Sequence, residues 1–242
     1  MNYMMEISYD GSKFFGFQRL NENISVQKVL EDALSKINKK PVMVKGAGRT
    51  DRGVHAYGQC VTFKLDIDIS EYGLKSAINS IVKPYIYVKK VLMVGEDFHA
   101  RFSVQKKRYV YKINLGEYDA VMADYVYNPE YPLNIDKMKE VAKLYLGVHD
   151  FHNFVSGVRK DSTCIIYDIT FKQEKDILNI IFEGKSFYRY MVRNLVGAML
   201  EVGRGKENIE KVKSLLELTD NNPLFTAPSC GLYLESVIYD EK

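Results

Sequence analysis

The chain has 242 residues, enough for one large or two small domains and for a core that needs no disulfide or metal staple. Apolar residues make up 46% and charged residues 27%, which excludes a disordered chain, a collagen and a coiled coil. The formal net charge is only +3, less than is usual for a protein that coats nucleic acid indiscriminately.

The location of the protein is predicted from segments that the sequence lacks. No stretch approaches the ~18 consecutive apolar residues of a membrane span. Residues 1–6 lack the basic and apolar regions of a signal peptide. Cys60, Cys164 and Cys230 are too scattered for a disulfide framework or a zinc knuckle. We therefore predict a cytoplasmic protein without membrane association.

The first half is predicted to alternate strands and helices. After Ser25, a suitable N-cap, apolar residues recur at helical spacing. Between Gln59 and Leu65, apolar residues occur at every second position, as in a strand. The predicted elements are strand 4–9, helix 26–37, strands 42–44 and 59–65, helix 70–81 and strand 86–94. This β-α-β-β-α-β order is a split βαβ arrangement on an antiparallel sheet.

The second half is predicted to repeat that order with one helix more. The predicted elements are strand 108–115, a helix after Asn134, strands 164–171 and 177–182, helices 187–202 and 208–218, and strand 232–239. No linker separates the halves, and we place the boundary near Ser103 to Lys106, giving halves of residues 1–104 and 105–242. The predicted fold class is α+β, with two ferredoxin- or RRM-like halves.

The segment from Gly46 to Gln59 is the densest in glycine and charge. Four glycines in fourteen residues indicate a loop with unusual backbone angles or close backbone approaches. Arg49 and Arg52 flank Asp51, and opposite charges favour the ionised carboxylate, which suits a nucleophile or charge stabiliser better than a proton donor. The segment matches neither a phosphate-binding loop nor a dinucleotide fingerprint. A structural turn with an Asp–Arg pair explains the pattern equally well.

Two groups of cations have alternative interpretations. A basic cluster around Tyr109 indicates either contact with nucleic acid or a solvated strand edge guarded by lysines. The members of this cluster are Lys106, Lys107, Arg108 and Lys112. Arg189 and Arg193 are four apart in a predicted apolar helix, so we expect them to share one face and to meet either an RNA phosphate or a structural carboxylate.

The histidines are weaker signals. His55 fits an acid/base group, although a structural, hydrogen-bonded histidine is the commoner case. His149 and His152 are three residues apart, but the further ligands that a zinc site needs do not appear at matching spacing. The sequence therefore predicts no metal site.

Several segments together resemble the tRNA pseudouridine synthase A family. The central signature is the run Gly48-Arg49-Thr50-Asp51 followed by Gly53-Val54-His55-Ala56 and Gly58-Gln59. Supporting matches occur in the same order along nearly the whole chain. They are Tyr9-Asp10-Gly11, Ser25-Val26-Gln27, Phe98 to Ser103, Arg108 to Tyr111, His149-Asp150-Phe151, Met191 to Gly197, Ala227-Pro228 and Gly231-Leu232.

The resemblance implies an isomerase that converts uridine to pseudouridine at positions 38, 39 and 40 in the anticodon stem-loop of tRNA. It implies that no cofactor and no metal are needed, and that the enzyme acts as a homodimer. It also implies one largely antiparallel sheet made by the two halves, with a central RNA-binding cleft. A non-catalytic RNA-binding or tRNA-chaperone protein on the same fold is the main alternative. A metal-dependent phosphoesterase is a third alternative, but the sequence lacks the cluster of carboxylates and histidines that would bind its metal.

The resemblance also assigns roles to four residues. Asp51 corresponds to the catalytic nucleophile, and Tyr109 to the tyrosine that packs on the target uracil. Arg49 corresponds to the arginine that approaches the flipped-out nucleotide, and Arg193 to the arginine that pairs with the aspartate. Retention of all four residues argues against the non-catalytic alternative.

Four positions depart from the pattern of the family. Arg52 stands where a small residue is common, which adds a cation beside Asp51. Phe17 replaces a tryptophan, Lys83-Pro84-Tyr85 replaces a Leu-Pro-x-Asp turn, and Cys164 lies near the usual place of an arginine. These changes leave the nucleophile motif intact, and they bear on which uridine is chosen and on how RNA is bound.

Overall fold

The structure is a computed structural model that describes residues 1–157 and 160–240. These residues form two compact units: the first contains Met1–Gln105 and the chain from Tyr233 onward, and the second contains Lys106–Leu232. The last strand therefore belongs mostly to the first unit, whereas the sequence predicts it in the C-terminal half. No helix within the described ranges is long and apolar enough to cross a membrane.

The elements confirm an α+β fold with mostly antiparallel strand pairing. In chain order they are β1 (Asn2–Tyr9), α1 (Val26–Asn38), β2 (Lys45–Gly46), β3 (His55–Lys64), α2 (Glu71–Val82), β4 (Ile86–Val94), β5 (Val104–Asn114), α3 (Ile135–Leu144), β6 (Gly147–Asp150), β7 (Thr163–Glu174), β8 (Ile177–Gly184), α4 (Met191–Gly203), α5 (Ile209–Leu216) and β9 (Leu232–Tyr239).

The first unit is built on strands in the order β4-β1-β3-β9. β1 pairs antiparallel with β3 and β4, β2 adds two residues beside β3, and β9 runs parallel to β3 with Tyr233 opposite His55. β1 buries alternate residues, among them Met5 and Ile7, as half-buried strands do. The side chain of Ser25 accepts the N–H of Lys28, so the predicted cap and start of α1 are confirmed.

The predicted strand over residues 42–44 is wrong. Side chains of α1, and not a neighbouring strand, satisfy the backbone there. The N–H of Val42 donates to Ser35 Oγ at 2.9 Å, and the N–H of Val44 donates to Glu31 Oε1 at 3.1 Å. Strand pairing begins only at Lys45, because Ser35 and the buried Glu31 of α1 have already taken these hydrogen bonds.

The second unit contains strands in the order β5-β8-β7-β6, all antiparallel neighbours. The predicted hairpin is confirmed, with Glu174 opposite Ile177 across the turn. β6 was not predicted, because Val148 is its single apolar residue and is itself exposed. Phe151, Phe154 and Tyr145 pack edge to face in the core below it.

The apolar helix of the second unit starts later than predicted. Tyr190 adopts a left-handed backbone (φ 63°), so α4 begins at Met191 and Arg189 lies outside it. The expectation that Arg189 and Arg193 share one helix face is therefore wrong. Both guanidinium groups instead lie 5.0 Å from the ring centroid of Tyr190, which separates them in sequence.

Candidate active site

Asp51 lies in the first unit, in the loop between β2 and β3. A tight turn follows it, in which the N–H of Val54 donates to the carbonyl of Asp51 at 3.1 Å. Gly53 provides the left-handed residue of this turn (φ 78°), a conformation that side chains disfavour. One of the four glycines of the segment is thus explained by a turn that presents a half-buried Asp51.

Three hydrogen bonds hold the chain just before Asp51. Gln59 Nε2 donates to the carbonyl of Gly48 at 3.0 Å, and the N–H of Phe17 donates to the carbonyl of Thr50 at 3.0 Å. The hydroxyls of Tyr9 and Thr50 lie 2.8 Å apart in a buried contact. These bonds reach the loop from β1, from β3 and from the segment before α1, so Asp51 is attached to a backbone fixed from several sides.

Tyr9 remains protonated at neutral pH in this network. Burial raises the pKa of its hydroxyl to about 12, and the hydrogen bond with Thr50 opposes only part of that effect. A neutral phenol can donate a hydrogen bond as well as accept one. Tyr9 and Gln59 belong to the family motifs in the sequence, but the sequence predicts no role for them, because their contacts with the loop join residues up to 41 positions apart.

His55 is a buried, hydrogen-bonded histidine next to the same loop. Its Nδ1 accepts the N–H of Gly11 at 3.0 Å and lies 3.5 Å from a carboxylate oxygen of Asp10. Its ring stacks on Tyr233 of β9, with centroids 4.6 Å apart. Since Nδ1 accepts a hydrogen bond from the backbone, the neutral ring carries its proton on Nε2. This geometry favours the structural interpretation of His55.

The two arginines of the loop are both exposed. Arg49 precedes Asp51 by two residues, and Arg52 follows it directly. The Cζ atom of Arg52 lies 4.3 Å from the ring centroid of Phe15, an exposed aromatic residue of the segment before α1. The structure therefore brings Arg49, Asp51 and Arg52 together on one short loop of the first unit.

Tyr109 lies on β5 in the second unit, opposite Phe182 of β8. It is buried, and its ring meets the ring of Phe187 edge to face, with centroids 5.2 Å apart. Such a contact fixes the plane of an aromatic ring. Phe187 is thus a supporting residue for which the sequence predicts no role.

The basic cluster beside Tyr109 is partly neutralised by one carboxylate. Glu183 of β8 lies directly opposite Arg108. Its Oε2 is 2.7 Å from Lys106 Nζ, and its Oε1 is 3.6 Å from Arg108 Nε. Lys107, between these two cations, is buried. Two members of the cluster therefore take part in an ion-pair network, which lowers the positive charge that they present to a ligand.

Arg193 lies near the start of α4 in the second unit and is tied to a remote segment. Its Nε donates to the carbonyl of Ala227 at 2.7 Å, and its own carbonyl accepts the N–H of Ala227 at 3.1 Å. The helix also lies directly against Phe225, since a Cβ built on Gly197 would sit 1.6 Å from the Phe225 carbonyl oxygen. Tyr111 continues this support by donating to the carbonyl of Pro228 at 2.9 Å.

The four predicted site residues are thus divided between the two units, with two residues in each. Arg49 and Asp51 share one loop of the first unit, and Tyr109 and Arg193 lie on separate elements of the second. His149 is half-buried, with Nε2 2.8 Å from the carbonyl of Leu146. Within the described ranges, no group of three or more His, Cys, Asp or Glu residues is arranged to hold a metal ion.

A family model described as tRNA pseudouridine synthase matches residues 5–103 and 141–240 of this chain. The chain belongs to the tRNA pseudouridine synthase family. Arg49, Asp51 and Arg193 lie within the matched ranges, and Tyr109 lies between them. Membership makes the protein an isomerase that acts on uridine in tRNA.

Individual relatives resemble the chain along its whole length. It is 42% identical to the tRNA pseudouridine synthase A of Pseudothermotoga lettingae over 240 residues, which covers 97% of this chain and 98% of that relative. It is 40% identical to the protein of the same name from Thermosipho africanus over 241 residues, covering 98% and 99%. A solved structure of an H/ACA RNP bound to a substrate RNA containing 2′-deoxyuridine overlaps with a TM-score of 0.33 and 13% identity, over 82% of this chain and 53% of that chain.

Proposed function

We propose that this enzyme isomerises uridine to pseudouridine at positions 38, 39 and 40 in the anticodon stem-loop of tRNA, with Asp51 as the nucleophile. The observation that carries the proposal is the Asp51 loop itself. A half-buried carboxylate follows a backbone segment held by Tyr9, Phe17 and Gln59, within a chain that belongs to a family of uridine isomerases. A fixed carboxylate is suited to attack at one defined carbon.

The reaction breaks the bond between N1 of uracil and C1′ of the ribose, turns the detached base and joins C5 to C1′. The proton on C5 is released to solvent and N1 gains one, so the change is an isomerisation. The Asp51 carboxylate either attacks C1′ or assists formation of a glycal by taking the 2′ proton. Both routes require an ionised aspartate, and the cations Arg49 and Arg52 beside it in sequence favour that form.

Tyr109 has the proposed role of packing on the target uracil. The uridine has to leave the stem-loop stack to be reached, which costs a few kcal/mol. Stacking of a base on an aromatic ring contributes about 1–3 kcal/mol, enough to offset much of that cost. The edge-to-face contact with Phe187 supports this role, because it holds the ring of Tyr109 in one orientation.

The two arginines have complementary proposed roles. Arg49, which is exposed two residues before Asp51, is suited to approach the flipped-out nucleotide. Arg193 is proposed to pair with the aspartate during the reaction. Its Nε is committed to the carbonyl of Ala227, and this bond fixes the direction of the guanidinium plane. We further propose that the enzyme is cytoplasmic, acts as a homodimer and requires no cofactor.

Release of tritium from tRNA that carries [5-³H]uridine tests the proposal, because loss of the C5 hydrogen is intrinsic to this isomerisation. The wild type is compared with Asp51→Asn, which keeps the size of the side chain and removes its charge. Asp66→Asn is the matched control, since Asp66 is an exposed carboxylate paired with Lys40 in the same unit. We expect release by the wild type and the control, and a loss of at least about 1000-fold in Asp51→Asn with tRNA binding retained.

Sequencing of the product then identifies the modified positions. Pseudouridine at positions other than 38, 39 and 40 would contradict the proposed site choice while leaving the reaction intact. No release by the wild type from several unmodified tRNAs, despite tight binding, would favour the alternative of a non-catalytic RNA-binding protein.

A further inference from the structure

Phe15 is an exposed aromatic residue in an otherwise buried aromatic segment. Phe14 and Phe17 are only 5% and 3% exposed, whereas Phe15 is 41% exposed. Its N–H donates to the carbonyl of Ile24 at 2.9 Å, so its backbone is fixed although its ring meets solvent. A fixed aromatic ring on the surface is a suitable stacking platform.

The backbone around Phe15 is pressed against the Asp51 loop. Gly16 has a left-handed backbone (φ 94°), and a Cβ built on it would lie 2.8 Å from the carbonyl oxygen of Thr50. The next residue, Phe17, donates its N–H to that same carbonyl. The position of Phe15 relative to the loop is therefore set by backbone contacts on its C-terminal side.

Arg52 completes the platform from the loop side. Its Cζ atom lies 4.3 Å from the ring centroid of Phe15, which is the distance of a cation–π contact. No aspartate or glutamate of the described ranges forms an ion pair with Arg52. The cation is thus held by an aromatic face and remains available to an anionic ligand.

We infer that Phe15 and Arg52, here called the Phe15–Arg52 platform, bind a nucleotide adjacent to the target uridine. The guanidinium plane or the phenyl ring stacks on that nucleobase, and the Arg52 N–H groups donate to a neighbouring phosphate. The inference rests on the proposed function, because it uses Asp51 as the point at which the target nucleotide is attacked. It adds, next to the catalytic loop, a binding subsite for one nucleotide of the same RNA.

A double-mutant cycle between protein and RNA tests the platform. The RNA is a synthetic anticodon stem-loop, either intact or with an abasic nucleotide on the 5′ or the 3′ side of the target uridine. The proteins are the wild type, Phe15→Leu and Arg52→Ser, and the dissociation constant is measured for each combination. Arg52→Lys is added, because lysine keeps the charge but lacks the planar stacking group.

We expect one of the two abasic positions to weaken binding to the wild type by about 5- to 100-fold. The same abasic RNA should weaken binding to Phe15→Leu much less, since the stacking partner is already absent. Arg52→Lys should respond to loss of the base as Arg52→Ser does, because both lack the planar guanidinium group. The dependence of its dissociation constant on salt should be that of the wild type, because the positive charge is retained. Tyr72→Leu removes an exposed aromatic ring at the start of α2 and should respond to abasic RNA as the wild type does.

Equal abasic effects in the wild type and Phe15→Leu at both positions would overturn the inference. The inference would also be overturned if Phe15→Leu lost affinity only because the variant has a lower melting temperature than the wild type. Tritium release from intact RNA is measured in the same experiment, so that a failure of the platform can be distinguished from a failure of the proposed function. A wild type that isomerises uridine but shows no coupling refutes the platform alone, whereas one that binds without isomerising refutes the proposed function.

Discussion

The two segments that carry the candidate site residues are held in place by different means. The Asp51 loop is held by a turn of its own, by a glycine and by side chains from Tyr9 and Gln59. Arg193 is held by main-chain and side-chain bonds to Ala227, 34 residues away, and by close approach of α4 to the same segment. The loop is thus stabilised by a turn of its own and by hydrogen bonds from several elements of the first unit, whereas the arginine is stabilised by close packing of its helix against a single remote segment.

The largest expected effect comes from substitutions that add a side chain at the two glycines whose Cβ positions lie nearest to another backbone. A Cβ on Gly197 would lie 1.6 Å from the carbonyl oxygen of Phe225, and a Cβ on Gly11 would lie 2.1 Å from that of Val54. We expect Gly197→Ala and Gly11→Ala each to lower the free energy of unfolding by about 3 kcal/mol or more, because backbone must move in both cases. Urea denaturation measures the change.

Gly95→Ala is the control for these variants, since no atom lies within 4 Å of a Cβ built there. Its effect should stay within about 0.5 kcal/mol. If Gly197→Ala were as stable as Gly95→Ala, the close packing of α4 on residues 225–227 could not be what holds Arg193.

Features that depend on adjacent residues could be predicted from the sequence, whereas contacts between residues far apart in the chain could not. The loop at Asp51 was predicted because glycines and charges are adjacent in the chain. The order of strands and helices over residues 1–94 followed from periodicity, apart from the strand over residues 42–44. The late start of α4 was missed, because the left-handed backbone at Tyr190 has no sequence signal as strong as a glycine. Glu183 as partner of Lys106 and Arg108 was missed because strand register brings them together across 77 positions.

Tyr109 tests the second unit, because its ring is proposed to stack on the target base. Tyr109→Phe keeps the aromatic face and the contact with Phe187, so kcat/KM should fall by less than about tenfold. Tyr109→Leu removes the face and should lower kcat/KM by about 10- to 100-fold, the equivalent of one lost base–aromatic stack. Tritium release under single-turnover conditions gives both values. Equal activity of the two variants would show that stacking is not the role of Tyr109.

Tyr9 tests whether the buried network positions Asp51 or only stabilises the first unit. Tyr9→Phe leaves the hydroxyl of Thr50 without its partner, which should lower the free energy of unfolding by about 1–2 kcal/mol. If the bond also positions the loop, kcat falls while KM for tRNA stays constant, and Thr50→Ser retains more activity than Thr50→Val.

Tyr145→Phe is the matched control in the second unit. Its hydroxyl is buried and donates to the carbonyl of Leu195 at 3.4 Å. This variant should lose stability with little change in kcat. A parallel fall of kcat in Tyr9→Phe and Tyr145→Phe would mean that both act through stability alone.

The smallest expected effect is the pH dependence that Tyr9 contributes. Its pKa in the folded protein is about 12, against an ordinary value of 10.0, because burial disfavours the phenolate. Between these values the unfolded chain loses its proton first and binds fewer protons than the folded protein. Stability is therefore fully present below about pH 10 and falls as the pH rises, by about 1.4 kcal/mol per pH unit for one such group.

Buried tyrosines of both units, including Tyr3 and Tyr145, have pKa values raised in the same direction, so the wild type should lose stability steeply above pH 10. Tyr9→Phe should be less steep by the contribution of one proton, a difference of about 1.4 kcal/mol at pH 11 in urea denaturation. Tyr72→Phe, which removes an exposed hydroxyl from α2, controls for the loss of a tyrosine. Parallel curves for Tyr9→Phe and the wild type between pH 9 and 11 would mean that water reaches Tyr9. The hydroxyl pair with Thr50 would then lack the burial that makes it hold the Asp51 loop, and the contrast between the hydrogen-bonded loop and the packed arginine would be weaker.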